Sequence, residues 1–169
     1  MRVLSLIMLL GLTALAGCLG EAGPPAQPSF YVSMADEGAA VDAAAAASMI
    51  SGYRGNNGLG TVEVDPELMR MAMDHARTMA AKDKVDRAAG REFSGRLTNA
   101  GFDGKGAVEN VSAGYHTLAE AFSGWRDSPP HRANMLKSGV TKLGIAASYA
   151  PGTKYKVFWT MILASTDPR

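Results

Sequence analysis

The sequence predicts an α+β domain, or a layered α/β/α one, with helices through the front and middle of the chain and a strand hairpin at its end. Three observations predict it. Asp65-Pro66-Glu67 and Thr117-Leu118-Ala119-Glu120 each read as the start of a helix, and the stretches they open carry helical apolar spacing. Two runs rich in Val, Ile, Phe, Trp and Tyr, at 142–149 and 155–164, flank a turn containing Pro151-Gly152-Thr153-Lys154.

The elements follow in order. An apolar face of Val41, Ala45, Met49 and Ile50 predicts a helix over 39–53, stopped by Gly55-Asn56-Asn57-Gly58. Asp65 supplies an N-cap acceptor, Pro66 occupies the first helical position and Glu67 puts an acid in the first turn. That helix is expected to reach about Lys82, with Leu68, Met71, Ala72, His75 and Met79 on its inner face and Arg70, Asp74, Arg77 and Thr78 on another. Met69 and Met73 flank the inner face as gap fillers. A loop over 84–91 leads to a short helix at 93–99 that ends before Gly101. Thr117 and Glu120 form a capping box for a helix to about Arg126, and Ser128 caps a further helical turn. Trp159 lies in a strand suited to a covered sheet; with Trp125, Phe158 and Tyr115 it is read as a packing residue.

The first residues are of another kind. Met1-Arg2, an apolar run from Val3 to Leu15 and Ala16-Gly17 before Cys18 have the layout of a secretory signal, 1–17, too short to span a bilayer comfortably. Leu15-Ala16-Gly17-Cys18 resembles the lipobox of bacterial lipoproteins, which implies cleavage before Cys18 and lipid on its thiol. The plainer alternatives are an ordinary signal with a chance cysteine, or an uncut anchor. Leu19 after the cysteine, where Asp would retain the protein at the inner membrane, points by the enterobacterial rule to the outer membrane. The Gly-, Pro- and Ala-rich residues up to 38 read as a flexible tether from lipidated Cys18, with the domain over 39–169. Cleavage leaves 152 residues with 16 basic and 16 acidic side chains. That length suffices for one core, and the balance gives no ground for a nucleic-acid partner. Cys18 is the sole cysteine, so no disulfide staples the fold.

Candidate chemistry rests on few residues. His75 sits on an apolar helical face and is read as a hydrogen-bonded core histidine; His116 adjoins the Thr117 cap. His131 opens a helical turn, where backbone amides favour neutral imidazole. Glu109, in Val108-Glu109-Asn110-Val111, is an acid in an apolar strand-like stretch and needs a partner if buried.

Taken together, Pro66-Glu67-Leu68, Ala72 with His75-Ala76 and Met79-Ala80, Gly95-Arg96-Leu97, Glu109-Asn110-Val111, Trp125, Ser128-Pro129 with His131-Arg132 and Asn134-Met135, and Leu143-Gly144-Ile145 resemble the CAP superfamily. That superfamily holds cysteine-rich secretory proteins, antigen 5 and pathogenesis-related proteins, and the likeness, over about 44–164, is to its short bacterial branch without disulfides. The resemblance implies a three-layer α/β/α sandwich with a central antiparallel sheet and a cleft of two histidines and two acids that holds metal in several members. Glu109 and His131 match that cleft. Arg87 stands in the register of the first histidine, and the second acid falls near Ser128, with Asp127 as a stand-in. A guanidinium has no lone pair to donate, so a divalent metal is disfavoured and no cofactor is expected. Arg87 either pairs with Glu109 in place of a cation or points to solvent from its loop. No Gly-x-Ser-x-Gly elbow, His-Glu-x-x-His motif or catalytic cysteine occurs. The functional expectation is an envelope module binding a small apolar or lipid-like ligand or an envelope component. The alternatives are a hydrolase using a Glu/His pair and a structural protein with a vestigial cleft.

Overall fold

A computed structural model describes residues 27–86, 91–104 and 106–166. The signal, Cys18, the tether up to 26, and Arg87 therefore lie outside the described residues. A 3-10 turn, Ser29–Tyr31, leads to α1 (Ala43–Gly55), β1 (Glu63–Val64), α2 (Pro66–Ala81), α3 (Arg91–Asn99), β2 (Val108–Ala113), α4 (Leu118–Asp127), α5 (Pro129–Met135), β3 (Lys142–Tyr149) and β4 (Val157–Ala164).

The helix starts are written locally. The Asp65 carboxylate accepts from the N–H groups of Glu67 and Leu68, and the capping box at Thr117 is complete in both directions. Asp42 caps α1 the same way, through Ala45. β4 opens at Val157, two residues later than its composition predicts, because Lys156 takes a left-handed φ of 64° that no strand tolerates.

The sheet runs β1-β3-β4-β2. β2, β4 and β3 pair antiparallel, as expected. β1 is a departure: it lies parallel to β3, pairing Glu63 with Lys142 and Val64 with Leu143. The chain leaves β1 and crosses through helices before returning to β3, and such a crossover makes a parallel pair. Two residues are too few to show strand periodicity, so β1 is absent from the sequence pattern.

The period of two along the strands separates two cores. Leu143, Ile145, Val157, Trp159, Met161 and Leu163 meet α1, α4 and α5 through Ile50, Leu118, Trp125 and Met135. Ala146, Ile162 and Ala164 meet α2 and α3 through Leu68, Ala72, Phe93 and Leu97. Every residue of β4 is buried, so the sheet is covered on both sides and the domain is a three-layer sandwich. The indoles are anchored where they are buried: Trp159 donates to the Tyr115 carbonyl at 2.8 Å and Trp125 to Ser112 Oγ at 3.2 Å.

The tether assignment needs shortening. Composition marks residues up to 38 as flexible, yet Met34 is buried in the α1/α4 core with Phe30 against it. The Met34 N–H also donates to the His116 carbonyl at 2.6 Å. Two apolar side chains among small residues are enough to dock the segment, and average composition conceals them.

Candidate acid–imidazole site on the β2 edge

β2 is an edge strand, and its alternating side chains serve opposite layers. Val111 packs towards α2, with Met79 and Phe158, and Glu109 shares its side of the strand. Val108, Asn110 and Ser112 face the other layer.

Glu109 finds its partner in α2. His75 Nδ1 and Glu109 Oε1 are 2.7 Å apart, and the two side chains are only 6% and 8% exposed. A carboxylate oxygen accepts, so Nδ1 carries the hydrogen of this bond. The hydrogen-bonded core histidine expected at 75 is thus present, and it supplies what a buried acid requires. Sequence reasoning gave both halves without joining them. The available signal was that both residues occupy apolar, inward-facing positions and each needs a polar partner.

The carboxylate's removal has a predictable cost. Glu109→Ala should lower stability by about 2 kcal/mol, because a buried ring N–H loses its acceptor. Glu109→Gln should lose less than half of that, since an amide oxygen still accepts. Urea unfolding of the three proteins checks this, and equal losses would show that charge, rather than the hydrogen bond, holds the pair.

α5 is fastened to the same strand. Asn110, fully buried, donates through Nδ2 to the His131 carbonyl at 2.9 Å. Asn134 Nδ2 in turn donates to the Glu109 carbonyl and to Asn110 Oδ1, both at 2.9 Å. Glu109 and the His131 turn are therefore neighbours through their backbones. The Glu109 carboxylate nevertheless leaves on the α2 side, whereas α5 buries Met135 in the opposite core. His131 itself is half-buried.

The remaining candidates fall as follows. Ser128 occupies the N-cap position of α5, but its side chain makes no capping hydrogen bond, a correction to its expected role. Pro129 and Pro130 lack N–H groups, which removes two of the donors a cap would satisfy. Asp127 is exposed and bonded to Arg126 Nε at 2.8 Å, and that guanidinium holds its carboxyl below the usual carboxylate range. Glu120 belongs to its capping box. Among the described residues no three His, Cys, Asp or Glu side chains converge as a metal would need. Among the described residues the acid and imidazole that do meet, His75 and Glu109, are only two of the donors a metal site needs.

Two open hollows lie elsewhere. One, of about 540 Å³, runs between the 3-10 turn and α1 and is lined by Pro28, Ser29, Phe30, Ala45, Ser48 and Met49. The other lies between α2 and α3.

The profile of the family described as cysteine-rich secretory protein family, CAP, matches residues 47–163. The uncharacterized protein YkwD of Bacillus subtilis (strain 168) is 27% identical over 149 residues, 74% of this chain and 58% of that protein. The chain thus spans little more than half the length of that relative. Among solved structures, an outer surface protein from Borrelia burgdorferi superposes with a TM-score of 0.62 at 18% identity, covering 75% of this chain and 93% of that one. An extracellular protein containing a SCP domain from Bacillus anthracis str. Ames gives a TM-score of 0.56 at 23% identity, over 73% of this chain and 40% of the other. These structures bear on the fold, and they share the layered arrangement described above.

Proposed function

From the premise that this chain belongs to the cysteine-rich secretory protein (CAP) family, we propose that it is an exported, lipid-anchored binding module, not an enzyme, whose ligand is small and apolar or lipid-like. The observation that carries the reading is the His75–Glu109 contact. A hydrolase of this family pattern would need Glu109 as a base facing a substrate, yet the carboxylate is engaged by an imidazole and nearly closed to water. Arg87, Ser128 and His131 then frame an interaction surface over the buried Glu109, whose second carboxylate oxygen Arg87 takes in place of a cation. Equal, tight zinc binding by the protein and its Arg87→His variant would refute that replacement. The hollow beside Phe30 and Met49 offers an apolar ligand room within the usual range for small-molecule sites. Anchoring through Cys18 to the membrane, facing the periplasm and by the sorting rule on the outer membrane, completes the reading. Family membership and the extracellular neighbours support export.

Native mass spectrometry of the protein after gentle extraction is the test. A bound lipid lost in Met49→Glu assigns it to the hollow, and one lost only in Glu109→Ala/His131→Ala assigns it to the family cleft. Extraction with no bound mass, from cells in which Cys18→Ser releases the protein, would leave a structural envelope protein instead.

A second reading has one specific support. A carboxylate on Nδ1 orients the His75 ring and leaves Nε2 as the nitrogen not used in that bond, the arrangement of an oriented general base. Turnover of casein or peptidoglycan that survives chelator and vanishes in His75→Ala or His131→Ala would establish a hydrolase.

A further inference from the structure

The hollow between α2 and α3 holds about 360 Å³, and its lining includes Glu67, Arg70, Met71, Asp74, Arg96 and Asn99. Its two guanidinium groups are in opposite situations. Arg70 is fully engaged: Nε and Nη2 donate to the Glu67 carboxylate and Nη1 to Asp74. That pairing holds the Glu67 carboxyl below the usual carboxylate range, so it stays ionised. Arg96, on α3, has nothing comparable. Among the described residues no hydrogen bond or ion pair engages its guanidinium, and its Nε is shut off from water without an acceptor. That N–H has given up hydration without gaining an acceptor, which is unfavourable unless something else supplies one.

The lining charges also balance. Two carboxylates and two guanidiniums meet there, so neither a simple anion nor a simple cation finds a field of one sign. A molecule carrying both signs does. Met71 contributes an apolar wall and Asn99 an amide able to donate and accept.

We propose that the α2–α3 hollow binds a small zwitterion of the amino-acid or short-peptide class, its carboxylate on Arg96 and its ammonium on the Glu67–Asp74 side. Arg96 is partly exposed, and a small rotation of its plane on binding would present Nε–H with a terminal N–H, the two-pronged donor that a carboxylate fits. The volume lies at the small end of known ligand sites and suits a molecule of that size. This site is separate from the apolar hollow and stands whether or not the lipid reading holds.

Titrating alanyl-alanine into the isotope-labelled full chain tests it, with the Arg96 Nε–H and the Asn99 side-chain amide resonances as readouts, the second serving for the Arg96 variants. Saturable movement of those resonances is expected. The methyl ester lacks the carboxylate and the N-acetyl form lacks the ammonium; each should bind at least about tenfold more weakly, the smallest loss that one missing charge partner predicts. Arg96→Gln should weaken binding by a similar factor without lowering the thermal midpoint, and Arg96→Lys should recover part of the binding. No saturation, or equal binding by Arg96→Gln, overturns the site. Equal binding of the ester or the N-acetyl form, or of inorganic phosphate, overturns the zwitterion assignment.

Discussion

Replacing Arg54 with methionine should lower the unfolding free energy by about 4 kcal/mol, more than almost any other single change in the chain. Arg54 ends α1 and is 1% exposed, yet no carboxylate meets it among the described residues. Backbone carbonyls take its charge. Nε donates to Gly60 at 2.9 Å, Nη1 to Met135 at 2.9 Å and Lys137 at 2.8 Å, and Nη2 to Val140 at 3.3 Å. One side chain thus joins the end of α1, the turn that follows it, and the segment between α5 and β3. Burial pulls its pKa down from the ordinary arginine value, but a guanidinium stays charged throughout the working range. Methionine matches the stem's volume and leaves those carbonyls without donors. For a domain of this size the loss corresponds to a melting temperature lower by roughly 10 °C. Arg54→Lys should fall between, because three donors on a point charge cannot span the fork's acceptors. A methionine variant within about 1 kcal/mol of the parent in urea unfolding would show that water replaces the guanidinium readily.

Gly144→Ala should be the next most damaging change, at about 3 kcal/mol or more. A Cβ there would lie 2.2 Å from both the carbonyl carbon and oxygen of Leu68 and 2.7 Å from its Cβ. Leu68 is fully buried in the first turn of α2, and that turn cannot retreat. The Asp65 N–H donates to the Leu143 carbonyl at 2.9 Å, and Met69 Sδ accepts from Ile145 N–H at 3.2 Å, so contacts on both sides of Gly144 hold the helix against β3. Gly152→Ala, in the open β3–β4 turn where nothing lies within 4 Å, is the matched control and should be nearly neutral. Similar melting temperatures for the two variants would mean that α2 and β3 separate easily.

What was legible in the sequence was local, and what was not depends on distant backbone. The Asp65 and Thr117 caps involve residues two or three apart, and the inner face of α2 follows from spacing alone. Arg54 could not be read this way. Its acceptors lie six to 86 residues away and are carbonyls, which every residue carries and no side-chain pattern marks. At the candidate site, burial of an acid at 109 demanded a partner, but nothing in the order of residues distinguishes His75 from Arg87 as that partner. The Asn110–Asn134 clamp is similar: the two asparagines are 24 positions apart and meet only because α5 turns back onto an edge strand. The short parallel strand and the docked Met34 were hidden by brevity and by bland neighbours.

The docking of Phe30 and Met34 sets how far the domain can stand from a bilayer. If the chain is held by lipid at Cys18, about ten residues separate that anchor from Pro28 and can span at most ~35 Å, against ~70 Å for an anchor-to-domain stretch reaching residue 38. The domain would patrol a thin shell, within about its own diameter of the lipid surface, and would meet molecules in or against the membrane before any deeper in the compartment.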